Sequence, residues 1–197
     1  EAICEQGLAP KMIRTAEYQH VANYAYHLDA GKFTTFLRQH CTETLGVHHV
    51  LADVVGVTSK ANGDIDALVT QQAGTVSGDL FIDCSGFDSR LLAQHYGIEF
   101  VDHSDVLFID RALAVQVPYA EQASAIASHT ISTAQSAGWI WDIGLQSRRG
   151  VGHVYSSRHT SKDQAMDELA GYVGPAIEDL SVREIPIRCG HRKVFWH

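Results

Sequence analysis

A chain of 197 residues, 45% hydrophobic and 19% charged, is long enough to bury one sizeable core and too apolar to be disordered. Its net charge of −8, with no Lys/Arg run, argues against nucleic acid and against an anionic membrane surface, leaving small molecules and proteins as partners. No stretch reaches the length of a bilayer-spanning helix, and the acidic start Glu1-Ala2-Ile3-Cys4-Glu5 is unlike a signal peptide, so a cytoplasmic location is expected.

Tyr24 to Leu28 reads as a short strand, with Asp29 as the N-cap of a following helix. In that helix Phe33, Phe36, Leu37, His40, Cys41 and Leu45 recur at helical spacing, and Gly46 is placed to end it. Val47 to Leu51 and Asp53 to Thr58 read as β structure, and Asn62-Gly63 supplies a hairpin turn before Ile65 to Thr70. A second turn near Gly74 leads to Thr75 to Ser77, which completes a three-stranded meander. Asp79-Leu80-Phe81-Ile82-Asp83 then reads as a buried central strand. It runs into the small-residue turn Asp83-Cys84-Ser85-Gly86-Phe87 and a helix from Ser89 to Tyr96 closed by Gly97. Strand, tight turn and helix in that order commonly cradle a pyrophosphate.

Further on, Val106 to Ile109 and Arg111 to Val117 read as strands. The Ala/Ser-rich stretch from Glu121 to Ala137 has no clear period, with room for a strand at Thr130 to Thr133. Ser161-Lys162-Asp163-Gln164 fits a capping box for a helix whose stripe is Ala165, Met166, Leu169, Tyr172 and Val173, stopped by Gly174-Pro175. Val182 to Arg188 alternates like a strand, and Pro186 confines it to an edge or a bulge. The predicted fold class is therefore α+β with much antiparallel sheet. The missing first methionine and the apolar end Val194-Phe195-Trp196-His197 suggest that both ends were cut from a longer chain.

Cys4, Cys41, Cys84 and Cys189 are scattered without metal-ligand spacing, and adjacent His48 and His49 would face opposite ways on a strand. Free thiols and no metal site are expected.

The most informative segment is Gly138-Trp139-Ile140-Trp141-Asp142-Ile143. With a two-residue period, Trp139 and Trp141 share one side of a strand and form an aromatic wall, while Ile140 points away. On these residues alone the wall serves equally as core or as the lining of a substrate tunnel.

The Trp-x-Trp-x-Ile strand and its hairpin, Leu145 to Ser157, resemble the signature of the flavin-dependent tryptophan halogenases. Two other blocks agree: Tyr24-Ala25-Tyr26-His27-Leu28-Asp29-Ala30 with Phe33 and Phe36-Leu37-Arg38, and Gly78-Asp79-Leu80-Phe81-Ile82-Asp83-Cys84-Ser85-Gly86-Phe87. Arg183 to Lys193 resembles the strand leading to the family's C-terminal flavin segment. The likeness runs from about Tyr24 to the end, and Gly144 departs from it where the commonest motif has proline.

The resemblance implies part of an FAD-binding fold of the aromatic-hydroxylase type. In that family reduced FAD, supplied by a separate flavin reductase, uses O2 to oxidise chloride or bromide, and the oxidised halogen passes down a tunnel to a small aromatic substrate. It further implies that Asp83, Cys84, Ser85 and Gly86 bring backbone to the cofactor and that the backbone of Val54 meets the adenine ring. Trp139, Trp141 and Ile143 would line the substrate tunnel. As a single partial domain, residues 1–197 would then divide at about 24–100, on the flavin side, and about 101–197, on the substrate side; a homodimer is compatible with it. The Gly-x-Gly-x-x-Gly turn of such enzymes is absent, and none of Lys11, Lys32, Lys60, Lys162 and Lys193 lies in the family's catalytic-lysine context, so no catalytic residue is assigned. Two other readings stay open at this point: a flavin-dependent aromatic monooxygenase, and a non-catalytic aromatic-binding module that lost its flavin half.

Overall fold

The structure, a computed structural model, describes residues 2–121 and 123–197. Glu1 of the acidic start and Gln122 of the Ala/Ser-rich stretch lie outside the described residues. In chain order the elements are α1 (Ala2–Glu5), α2 (Ala30–Glu43), β1 (Val54–Ser59), β2 (Ile65–Thr70), β3 (Gly74–Ser77), a π-helix (Arg90–His95), β4 (Phe100–Asp102), β5 (Arg111–Pro118), β6 (Ile131–Gln135), β7 (Gly138–Gly144), β8 (Arg148–Tyr155), α3 (Lys162–Val173), β9 (Arg183–Pro186) and β10 (Gly190–Arg192). Helices beside antiparallel sheets make the fold α+β, as the sequence predicts. The elements fall into two compact units, one of residues 1–30 with 103–189 and the other of 31–102 with 190–197.

In the second unit β1, β2 and β3 form the expected antiparallel meander. Its first turn closes as Asn62-Gly63 demands: Gly63 takes a φ of +94°, Asn62 Oδ1 accepts from the Asp64 N–H at 3.1 Å, and Lys60 N–H donates to Asp64 O at 2.8 Å. β4 pairs with β10, a contact between segments far apart in the chain that no local pattern announces. A Cβ at Gly190 would lie 2.1 Å from the Val101 carbonyl oxygen, so glycine is needed there for the strands to approach. α2 forms where its period predicts, and Gly46 at φ +69° follows it, yet Phe33, Phe36 and Leu37 on its apolar stripe are exposed.

The first unit is built on a five-stranded antiparallel sheet in the order β6-β7-β8-β5-β9, with α3 on one face. Ala165 and Leu169 of α3 pack with Leu113, Val115, Val117, Ile140, Val151 and Tyr155 to form the core. The cap acts as predicted, because Ser161 Oγ accepts from the Gln164 N–H at 3.1 Å, and Gly174 at φ +86° followed by Pro175 ends the helix. β9 is an edge strand, the place Pro186 requires.

Four apolar runs that read as strands are not strands. Among the described residues Tyr24 to Leu28, Val47 to Leu51, Leu80 to Ile82 and Val106 to Ile109 form no strand ladder with another segment, and Leu51, Leu80, Ile82 and Val106 are exposed. An extended segment becomes a strand only beside a partner that takes its N–H and C=O groups, and among the described residues none stands beside these. The reasoning that set His48 and His49 on opposite faces of a strand loses its premise with them. Among the described residues no group of three or more His, Cys, Asp or Glu could hold a metal ion, and the four cysteines are free.

Candidate functional site

The residues expected to meet the cofactor gather at one turn of the second unit. Asp83 is partly buried and organises that turn. Its Oδ1 accepts from the Ser85 N–H at 3.0 Å and from Ser85 Oγ at 2.5 Å, and its Oδ2 accepts from the Leu91 N–H at 2.8 Å. Ser85 Oγ in turn accepts from the Arg90 N–H at 2.9 Å. Burial works to raise the Asp83 carboxyl, but the hydrogen bonds from Ser85 and from the Leu91 N–H outweigh it and hold the group below the usual carboxylate range.

The sign follows from that depression. The contribution of Asp83 is fully present above an unfolded carboxyl pKa of about 4 and is lost as the pH falls through the lower folded value. Asp83→Asn is therefore expected to lower the melting temperature at neutral pH, and the gap from wild type should narrow below about pH 4. A gap that stays constant on acidification would contradict this account of the turn.

The helix after the turn is a π-helix, and Asp83 and Ser85 of the same chain already occupy its first N–H groups. The expected strand-turn-helix cradle is thus altered twice: the segment before the turn is unpaired, and the helix start is capped from within. What the turn does offer is open backbone. Cys84 and Gly86 are exposed, Gly86 takes a φ of +65°, and a Cβ built there would meet nothing within 4 Å.

Val54 is tied to the same turn by a residue that the sequence reading missed. Arg90 Nη1 donates to the Val54 carbonyl at 2.8 Å, while the Arg90 backbone binds Ser85. Arg90 and Gln94 with His95 face Val54 to Val57 across a cleft of about 210 Å³ on the outer edge of the meander. An unpaired edge strand beside a guanidinium is a donor set that suits a nucleotide, so these residues fit the adenine end of a flavin dinucleotide. No local signal marks Arg90, because its bond to Val54 joins residues 36 positions apart.

In the first unit, β7 divides its side chains as its alternation predicts. Ile140 and Asp142 point into the core, at 0% and 2% exposure, whereas Trp139 is 40% exposed and Trp141 and Ile143 are partly buried on the opposite face. The two indoles meet edge to face, with ring centroids 6.3 Å apart. Trp139, Trp141 and Ile143 therefore form one wall, and that wall is not the core.

Room for it comes from the neighbouring strand. Trp141 stands opposite Gly152 in the β7-β8 ladder, and a Cβ on Gly152 would fall 2.1 Å from Trp141 Cζ2. The indole occupies the space that a side chain at residue 152 would need. At the far end of the strand, a Cβ on Gly144 would meet Ile126 Cγ2 at 2.8 Å, so the Ile126 side chain fills the space beside the residue that replaces the family's usual proline. The wall also borders a cleft of about 500 Å³, where Trp141, Gly150, Ile185, Arg148 and Arg183 are among the lining residues. Arg148 is held there by Asp29, with Nη2 3.3 Å from Oδ2.

An antiparallel sheet that turns a Trp-x-Trp-x-Ile wall away from its core, and a separate meander with a small-residue turn at its edge, together define a class: the tryptophan halogenase family model matches residues 1–197, and the chain belongs to that family. Among particular relatives, it is 40% identical over 173 residues to the 7-chloro-L-tryptophan 6-halogenase KtzR of Kutzneria sp. (strain 744), a match covering 88% of this chain and 33% of that protein. It is 37% identical over 183 residues to the tryptophan 7-halogenase RebH of Lentzea aerocolonigenes, covering 93% and 34%. The crystal structure of a tryptophan halogenase from Shewanella frigidimarina NCIMB 400 is similar with a TM-score of 0.94 at 48% identity, over 100% of this chain and 38% of that one. Xcc4156, a flavin-dependent halogenase from Xanthomonas campestris, is similar with a TM-score of 0.85 at 35% identity, over 100% and 38%. The chain spans about a third of the length of the curated relatives it matches.

Proposed function

We propose that this chain is the middle portion of a halogenase that uses reduced FAD, O2 and chloride or bromide to halogenate tryptophan or another indole. The observation that carries the reading is the outward wall of Trp139, Trp141 and Ile143, which a purely structural role would have placed in the core. The names of the relatives and of the solved structures support it. Bound reduced FAD would supply the oxidising power that makes a halide electrophilic. The chain's own residues bind and screen. The backbone of Cys84 to Gly86 approaches the cofactor, Asp83 and Ser85 stiffen that turn, and Val54 with Arg90 holds the adenine end.

The wall lines the passage to the substrate, where Trp139 and Trp141 exclude water and bulky molecules. On this reading residues of about 24–100 serve the flavin side and about 101–197 the substrate side. A flavin reductase supplies the reduced cofactor, and the protein works in the cytoplasm. No residue of this chain is given a catalytic role.

Mass spectrometry of products tests the reading in the family-length protein, with reduced FAD, O2, tryptophan or indole, and either halide. A product carrying chlorine or bromine is expected. A hydroxylated product without halide would overturn the proposal.

A further inference from the structure

We infer that Arg149 and Tyr172 are positioning residues: by holding the Asp142 carboxylate inside the sheet they keep Trp139, Trp141 and Ile143 on its outer face. β7 has two faces of unequal polarity, and burial of apolar surface alone would choose the other one, since two indoles and an isoleucine outweigh Ile140, Asp142 and Gly144. A one-residue change of register exchanges the two sets. The fold nevertheless buries Asp142 to 2% exposure and leaves Trp139 at 40%.

A carboxylate that deep is tolerated only with partners. Both partners come from outside the strand. Arg149 of β8 places Nη1 2.5 Å from Asp142 Oδ2, and the Tyr172 hydroxyl of α3 donates to the same oxygen at 3.1 Å. Burial, and after it the Asp142 charge, push the Tyr172 hydroxyl up, which keeps it a donor. The inward orientation of Asp142 therefore depends on one side chain from the neighbouring strand and one from the helix over the core. Without them the buried carboxylate loses both its ion pair and its hydrogen bond, and the face that carries it no longer has an advantage over the aromatic one.

The inference rests on the proposed passage only for its functional consequence, and its test reads the orientation of the wall directly, with no turnover involved. In the 197-residue chain carrying Trp196→Phe, all indole signal comes from Trp139 and Trp141. There, Arg149→Met is expected to cause a loss of acrylamide quenching and a change in near-UV circular dichroism at temperatures where the chain is still folded. Tyr172→Phe should shift both in the same direction by less. Arg149→Lys, which keeps a cation for the carboxylate, should retain more of both signals than Arg149→Met does. The inference is overturned if Arg149→Met lowers only the melting temperature while quenching and dichroism stay as in the parent. It is overturned equally if Arg149→Lys moves both signals as far as Arg149→Met does, or, where Arg149→Met alone does not fold, if Tyr172→Phe leaves both signals unchanged.

Discussion

Ile140→Ala is expected to cost roughly 2–5 kcal/mol of stability, a larger loss than removing the indole of Trp139 next to it. Ile140 is wholly buried and belongs to the cluster that joins β5, β7, β8 and α3. Its truncation leaves a cavity among Leu113, Val151 and Leu169, side chains held by a sheet and a helix that cannot close in freely. Trp139 removes less from water because two-fifths of it stays exposed. Size alone predicts the opposite order. Thermal unfolding of the two alanine variants decides between them, and an equal or greater loss for Trp139→Ala would mean that the aromatic wall is part of the core after all.

Gly152→Ala comes second in size, and Gly150→Ala is its control. The new Cβ at 152 would stand 2.1 Å from Trp141 Cζ2 and 2.7 Å from the Leu113 carbonyl oxygen. An indole can rotate, but a backbone carbonyl in the middle of the sheet cannot. Overpacking of this kind costs about 1–3 kcal/mol, and here it should also move the Trp141 ring. At Gly150 a Cβ meets nothing within 4 Å, so alanine there should be neutral or slightly stabilising. Melting curves and near-UV circular dichroism of both variants test the pair together. A Gly152→Ala protein with wild-type stability and an unchanged tryptophan signal would show that the indole does not depend on that glycine.

Much of the fold was legible because its cues are local. Asn62-Gly63 forces a turn through its own backbone preferences, Ser161 and Gly174 cap a helix through groups at most four residues away, and Pro186 has no N–H to give a central strand. The unpaired runs mislead for the same reason in reverse. Leu80-Phe81-Ile82 has the composition of a buried strand, but composition reports what a segment tolerates, whereas pairing is a property of two segments. β4 and β10 are the counterpart: three residues each, unremarkable alone, and defined only by each other.

The candidate site divides along the same line. Asp83, Ser85 and Gly86 could be picked out because small and capping residues crowd one turn. Arg90 could not, since its bond to Val54 joins residues far apart in the chain. At the tryptophan strand, the two-residue period by itself determined that Trp139, Trp141 and Ile143 share a face and that Ile140 takes the other. Only the tertiary structure decided which face meets α3. The partners of Asp142 come from β8 and α3, and the space for Trp141 comes from Gly152, so none of these is visible from the strand itself.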